Sequence, residues 1–195
     1  MKTNLRLCCL FASLIFLTEC AKRSVTRVSP DQQIDLSGNW NDTDSKLVAE
    51  EMTRDMMART WRNDFSNKYN KKPVIIVGMI TNKSHEHIEA ETFIKNMERE
   101  LINAGNLRIV QNSQFREKLR EERADQQQFS SSETQKKWGK ELGADFMVFG
   151  NINSIVDAVN KKKVVYYQVN LELTDMETNE IVWIGEKKIK KFVNN

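Results

Sequence analysis

Val164-Val165-Tyr166-Tyr167-Gln168-Val169-Asn170-Leu171-Glu172-Leu173-Thr174-Asp175 alternates without a break. Val165, Tyr167, Val169, Leu171 and Leu173 fall on one side, and Val164, Tyr166, Gln168, Asn170, Glu172 and Thr174 on the other. A period of two with one apolar face is the pattern of a half-buried β-strand. Working outward, residues 142–152 and 181–192 carry apolar runs of their own, and turn-type residues fill 157–163 and 175–180. Two hairpins joining three strands is the simplest reading. These strands are expected to form the middle of one sheet, whose apolar face the remaining elements need in order to bury their own.

Upstream, Pro73 opens Val74-Ile75-Ile76-Val77-Gly78-Met79-Ile80, a β-branched run with the length of a strand buried on both faces. Before it, Val48, Met52 and Met56 repeat at i, i+4, i+8, which predicts a helix over 43–61 with Asp42 or Thr43 as its N-cap. A methionine stripe serves either as core or as an adaptable binding surface. Residues 63–72 are polar and basic without a pattern. A second helix is predicted from His85, with Ala90, Phe93, Ile94, Met97, Leu101 and Ala104 in one stripe and Gly105 as its stop. Residues 107–110 read as a short strand, 113–125 as a charge-dense helix, and 126–128 as a loop. A further helix spans 132–142, opened by the capping box Ser132-Glu133-Thr134-Gln135 and ended by Gly143. The expected fold is α+β: one domain over 42–195, a mixed five-stranded sheet flanked by helices.

The first residues are of a different composition. Lys2 and Arg6 precede an uncharged apolar run over 7–17, too short for a stable bilayer span of ~20 residues and in keeping with a signal peptide over 1–19. Cys8 and Cys9 lie inside that signal, so Cys20 is the single thiol of the mature chain and has no intramolecular partner. Leu17-Thr18-Glu19-Cys20 resembles a bacterial lipoprotein box, departing from it at Glu19, where a small residue is usual. Lipidation of Cys20 is expected, with plain signal cleavage as the alternative. Residues 20–41 are polar with a single proline, Pro30, and read as a tether. Fully stretched, they reach about 70–75 Å.

Net charge is +3, of which Lys2, Arg6 and Glu19 contribute +1, so the mature chain carries +2. That balance does not point to nucleic acid. With 29% charged and 39% hydrophobic residues the chain is composed as an ordinary folded domain. No Gly-x-Ser-x-Gly or phosphate-binding glycine loop occurs, and a cysteine nucleophile is excluded after Cys20. His85-Glu86-His87 is the one histidine pair; on a helix its members point apart, and the usual third metal ligand is missing. The lysine clusters at 161–163 and 187–191 either meet an acidic partner or membrane surface, or guard a hairpin tip and a sheet edge. No catalytic residue, metal, cofactor or small-molecule substrate is expected from these patterns.

Three stretches together resemble a known family. They are Asp35-Leu36-Ser37-Gly38-Asn39-Trp40-Asn41-Asp42-Thr43-Asp44; then Pro73-Val74-Ile75-Ile76-Val77 with Asn82, Ser84 and Glu86-His87-Ile88; then Gly143-Ala144-Asp145-Phe146 through Glu180-Ile181-Val182-Trp183. In combination they are similar to the LpoB-type activators of penicillin-binding proteins, outer-membrane lipoproteins of Gram-negative bacteria. The resemblance implies a fold like the N-terminal domain of TolB. It also implies a non-enzymatic protein, lipid-anchored in the outer membrane and facing the periplasm. Such a protein binds a class A penicillin-binding protein and stimulates peptidoglycan synthesis. Ala21 is not Asp, which by similarity to proteobacterial sorting agrees with the outer membrane. The tether departs from the long Pro-rich tether of well-known members, and no partner-binding motif carries over. The alternative is a CsgG- or TolB-like lipoprotein of an envelope export or assembly complex; the strands that a CsgG-like pore adds to its core sheet are not seen.

Overall fold

The protein is described by a computed structural model that covers residues 24–30, 32–131 and 140–194. The stretch read as a signal peptide, 1–19, and Cys20 lie outside the described residues. Residues 33–195 make one compact unit. The described residues before it, 24–30 and 32, carry no helix or strand; Gln32 N–H donates to the Ser29 carbonyl across one turn at 3.0 Å.

Four helices and five strands occur among the described residues. The helices are α1 (Asp42–Ala58), α2 (Trp61–Tyr69), α3 (Ala90–Ala104) and α4 (Ser113–Phe129). The strands are β1 (Val74–Lys83), β2 (Arg108–Val110), β3 (Phe146–Val159), β4 (Lys162–Asp175) and β5 (Ile181–Asn194). They form one mixed sheet in the order β2-β1-β3-β4-β5. β1 pairs in parallel with both β2 and β3, while β3–β4 and β4–β5 are antiparallel. The α+β fold with five strands is as the sequence predicts. The middle of the sheet is not the C-terminal trio, however, but β1, β3 and β4. The uniformly apolar Val74-Ile75-Ile76-Val77 is wholly buried and takes an inner position, whereas lysine-studded β5 lies at an edge. The β3–β4 hairpin also turns more tightly than expected, through Asn160 and Lys161 alone, with Asn160 left-handed at φ 53°.

Helices α1, α2 and α3 cover one face of the sheet, and the core lies between. Val165, Tyr167, Val169, Leu171 and Leu173 are each at most 1% exposed. Burial of side chains of this size stabilises by roughly 1.5–3 kcal/mol each. The stripe of Val48, Met52 and Met56 is buried against this face, so the methionines serve as core.

Several boundaries differ from the sequence reading, each for a visible reason. α1 is capped by Asn41, not by Asp42 or Thr43. The Asn41 side chain accepts from Asp44 N–H at 3.0 Å, and the Asp44 carboxylate accepts from Asn41 N–H at 2.9 Å, a reciprocal cap. α1 stops at Ala58, and the Trp61 indole N–H donates back to the Met56 carbonyl at 2.8 Å. The unpatterned stretch 63–72 is in large part helical: Trp61 and Phe65, one turn apart, pack edge-on against Phe146, and left-handed Asn70 ends α2. α3 begins at Ala90 rather than His85, because residues 84–88 are held in a loop described below; Gly105 ends it as expected. α4 runs through 126–128, expected as a loop. It buries no residue and is sustained along its polar surface by pairs such as Arg120–Glu117 and Gln126–Glu122. Arg120 also forks onto both carboxylate oxygens of Glu141 at 2.9 and 2.8 Å. The helix read over 132–142 lies mostly outside the described residues, and 140–142 are not helical.

Candidate functional site

Two regions gather the polar residues that the core does not use. The first is a clasp that closes the start of the folded unit onto the sheet. Residues 33–41 form a strap over the helix side of β4 and β5. Gly38 is required there, since a Cβ would lie 2.5 Å from Val193. The buried Tyr167 hydroxyl sits between the Gly38 carbonyl, at 3.1 Å, and the Glu86 carboxylate, to which it donates a hydrogen bond. Glu86 also accepts from Trp40 N–H at 3.0 Å, and the Trp40 ring meets Tyr167 edge-on at 5.5 Å. Burial, followed by the hydrogen bond to Glu86 and its negative charge, holds the Tyr167 phenol far above its ordinary pKa, so it stays a donor.

Glu86 is delivered by the loop after β1. Asn82 accepts from Ser84 N–H at 2.9 Å and donates to the Glu86 carbonyl at 2.8 Å, while Ile88 is buried. Lys191 completes the clasp from β5. Its ammonium lies 2.6 Å from Asp44, 3.1 Å from Asp35 and 3.0 Å from the Asn39 carbonyl. Burial works to lower the Lys191 pKa, but the hydrogen bonds to Asp44 and Asp35 outweigh it and hold it above the usual lysine range. Hydrogen bonds from Gln33, Lys191 and Asn41 hold Asp35 below the usual carboxylate range.

Asp145 is a second tie. It accepts from Val74 N–H at 2.9 Å and from Lys71 at 2.8 Å, joining the starts of β1 and β3. Trp183 donates its indole N–H to Asp55 at 2.8 Å, joining β5 to α1.

The second region is the open face of the sheet. Tyr166, Gln168, Asn170, Asn151, Asn153 and Glu186 form a linked polar stripe across β3, β4 and β5. Gln168 donates to Glu186 at 2.6 Å and to Asn170 at 3.0 Å, and Asn153 donates to Asn151 at 2.5 Å. None is needed by the core, and no helix among α1–α3 covers them. The lysine cluster of β5 is split by strand alternation. Lys187 and Lys191 face the helices, paired with Glu51 and with Asp44 and Asp35, while Lys188 and Lys190 face outward.

The histidines do not converge. His85 Nδ1 and its backbone N–H both meet Ser154 Oγ, at 2.6 and 2.9 Å, whereas His87 is open to solvent with Glu89 3.9 Å away. Among the described residues no cluster of three His, Cys, Asp or Glu is placed to hold a metal. A cleft of about 380 Å³ between α2 and the β4–β5 turn is lined by Trp61, Phe65, Phe146, Lys68, Asp175 and Glu180 among others, without Ser, Cys or His. No helix among the described residues is long and apolar enough to cross a membrane.

The family profile described as peptidoglycan-synthase activator LpoB matches residues 44–189, from the first turn of α1 through β1–β4 and into β5. The chain belongs to the LpoB family. Among solved structures it is similar to the LpoB C-terminal domain from Escherichia coli, at 17% identity over 76% of this chain and 99% of that one, with a TM-score of 0.47. It is also similar to the LpoB C-terminal domain from Salmonella enterica, at 16% identity over 76% and 99%, TM-score 0.41. A third likeness is to a lipoprotein from Neisseria meningitidis, at 12% identity over 63% and 85%, TM-score 0.41. Among curated proteins none matches the sequence. The stretches that resemble LpoB-type activators are, in this structure, those that build the clasp, the Asp145 tie and the Trp183–Asp55 link. They hold the fold, and the third of them also carries Asn151, Asn153, Tyr166, Gln168 and Asn170 of the open face, which had no signal in the sequence beyond the polar side of one strand.

Proposed function

We propose that this LpoB-family protein is an outer-membrane lipoprotein, anchored through Cys20 and facing the periplasm, that binds and activates a class A penicillin-binding protein. It performs no chemistry itself. The observation that carries this reading is the family match over 44–189, a span that includes β1–β4 and the first nine residues of β5. The sheet supports it physically: one face is closed by helices and the other presents the stripe of Tyr166, Gln168, Asn170 and Asn151, which is where we place contact with the synthase. Planar amides that already hold one another in place lose little further freedom on binding. Activation is then a population shift. The protein binds the active conformation of the synthase better, and the gain cannot exceed its differential affinity for the two conformations.

The test is titration of a soluble fragment, residues 21–195, against each class A synthase of the same organism, with binding and glycan product followed together. The protein alone should leave lipid-linked precursor unchanged, and the rate of one synthase should rise and saturate. Absence of binding to every synthase, or binding without a change in rate at saturation, overturns the reading. Fractionation of a Cys20→Ala variant checks the anchor separately: the protein should lose its lipid label and leave the membrane fraction when the membranes are washed with salt.

A further inference from the structure

The three C-terminal strands run past the rest of the sheet. β1 last pairs at Lys83 with Asn153, but β3 and β4 continue to Val159 and Lys162, and β5 follows to Asn194. The six residues of β3 beyond Asn153 extend about 20 Å. On the open face of this projecting tip, the register brings together rows of Ile155, Tyr166 and Lys190, and of Asp157, Val164 and Phe192. Ile155, Val159 and Phe192 are 66%, 66% and 65% exposed. Lys161 and Lys162 at the turn and Lys190 beside it are exposed, and none is in an ion pair with a described residue.

Lysines placed only to protect a hairpin from unwanted pairing would replace apolar surface. Here they surround apolar surface that has been kept. The chain also enters the folded unit at this end, because strap residues 33–38 lie beside Val193 and Lys191. The stretch from Cys20 to Gln32 spans at most about 45 Å. A lipid on Cys20 would therefore keep the folded unit within that reach of the leaflet, and this tip is the end of the sheet nearest the point where the chain enters.

We propose that the β3–β5 tip is a second membrane contact, made on an anionic phospholipid surface. Ile155, Val159 and Phe192 enter the headgroup boundary, and Lys161, Lys162 and Lys190 meet the phosphates. The side chains are few and the insertion shallow, so the contact is weak alone and acts together with the lipid chain, as anchoring by two signals requires. It orients the domain so that the strands rise from the membrane. This goes beyond the activator reading and does not depend on a synthase.

The experiment is flotation of the non-lipidated Cys20→Ala protein with vesicles, in the absence of any synthase. The protein should float with phosphatidylcholine vesicles containing phosphatidylglycerol, should not float with phosphatidylcholine alone, and should be released by salt. Each lysine at an anionic surface is worth roughly fivefold in partitioning, so the triple variant K161E/K162E/K190E should lose on the order of a hundredfold or more. The triple variant I155S/V159S/F192S should also lose binding while its thermal unfolding stays unchanged, since these side chains are exposed. Equal flotation with neutral vesicles, no flotation with anionic ones, or full binding by either variant overturns the proposal. So does a result in which both variants keep vesicle binding but lose synthase activation in detergent solution, which would make the tip a protein-docking surface.

Discussion

Adjacent residues of β4 belong to two different environments. Val165, Tyr167, Val169, Leu171 and Leu173 are sealed under helices, while Val164, Tyr166, Gln168, Asn170 and Glu172 look out from the same backbone half-exposed. Stability is concentrated on the first set and freedom to bind on the second. The division lets one side of the sheet be altered without penalty to the other, and each of the following measurements tests how clean it is.

Leu171→Ala should have the largest effect. The side chain is fully buried, and its removal should cost ~2–5 kcal/mol in chemical denaturation. Tyr167→Phe comes next. It keeps the ring but leaves Glu86 without its phenolic donor, and should cost about 1–3 kcal/mol. Release of the strap by pH should be smaller and visible in Trp40 fluorescence. Asp35 has a depressed folded pKa, so its contribution is present above the unfolded carboxylate value near ~4 and is lost as pH falls below it. Lys191 has a raised folded pKa, so its contribution is full below ~10.5 and is lost as pH rises through the folded value. The strap should therefore hold across the neutral range and loosen at both ends, whereas a Lys191→Met variant should loosen it at neutral pH and lose the alkaline transition. Smallest in stability are Glu172→Ala and Gln168→Ala, each within ~0.5 kcal/mol. Gln168→Ala should nevertheless weaken synthase activation. Losses as large as that of Leu171→Ala at these two positions would mean that the faces are not separable.

The fold was legible where a single periodicity dominates. The alternation of β4, the β-branched run of β1 and the stripe of Phe93, Met97 and Leu101 ending in Gly105 all found their elements. α2 was missed because its signal is only Trp61 and Phe65 among polar neighbours, and their burial depends on Phe146, far along the chain. The clasp was illegible for the same reason in stronger form. Gly38 meets Tyr167 across 129 positions and Asp35 meets Lys191 across 156, and no local pattern encodes such pairs. The lysines of β5 looked like one cluster, although the strand period alone assigns Lys187 and Lys191 to one face and Lys188 and Lys190 to the other. The open face resisted reading because exposed side chains obey no packing rule that would make them recognisable.

The Lys191 contact also determines how the protein answers to mechanical load. A pull on the chain ahead of Gln33 is met by Asp35, which holds both Lys191 and the α1 cap Asn41, and by the Gly38 carbonyl on Tyr167, and so passes into β5 and β4 as well as to the start of α1. Those strands are bonded to each other along nearly their whole length, and β4 in turn to β3. Under the proposed anchoring, tension between the chain end and a bound synthase would thus be borne largely by the sheet and shared over many backbone hydrogen bonds, with only the first turn of α1 in the line of force.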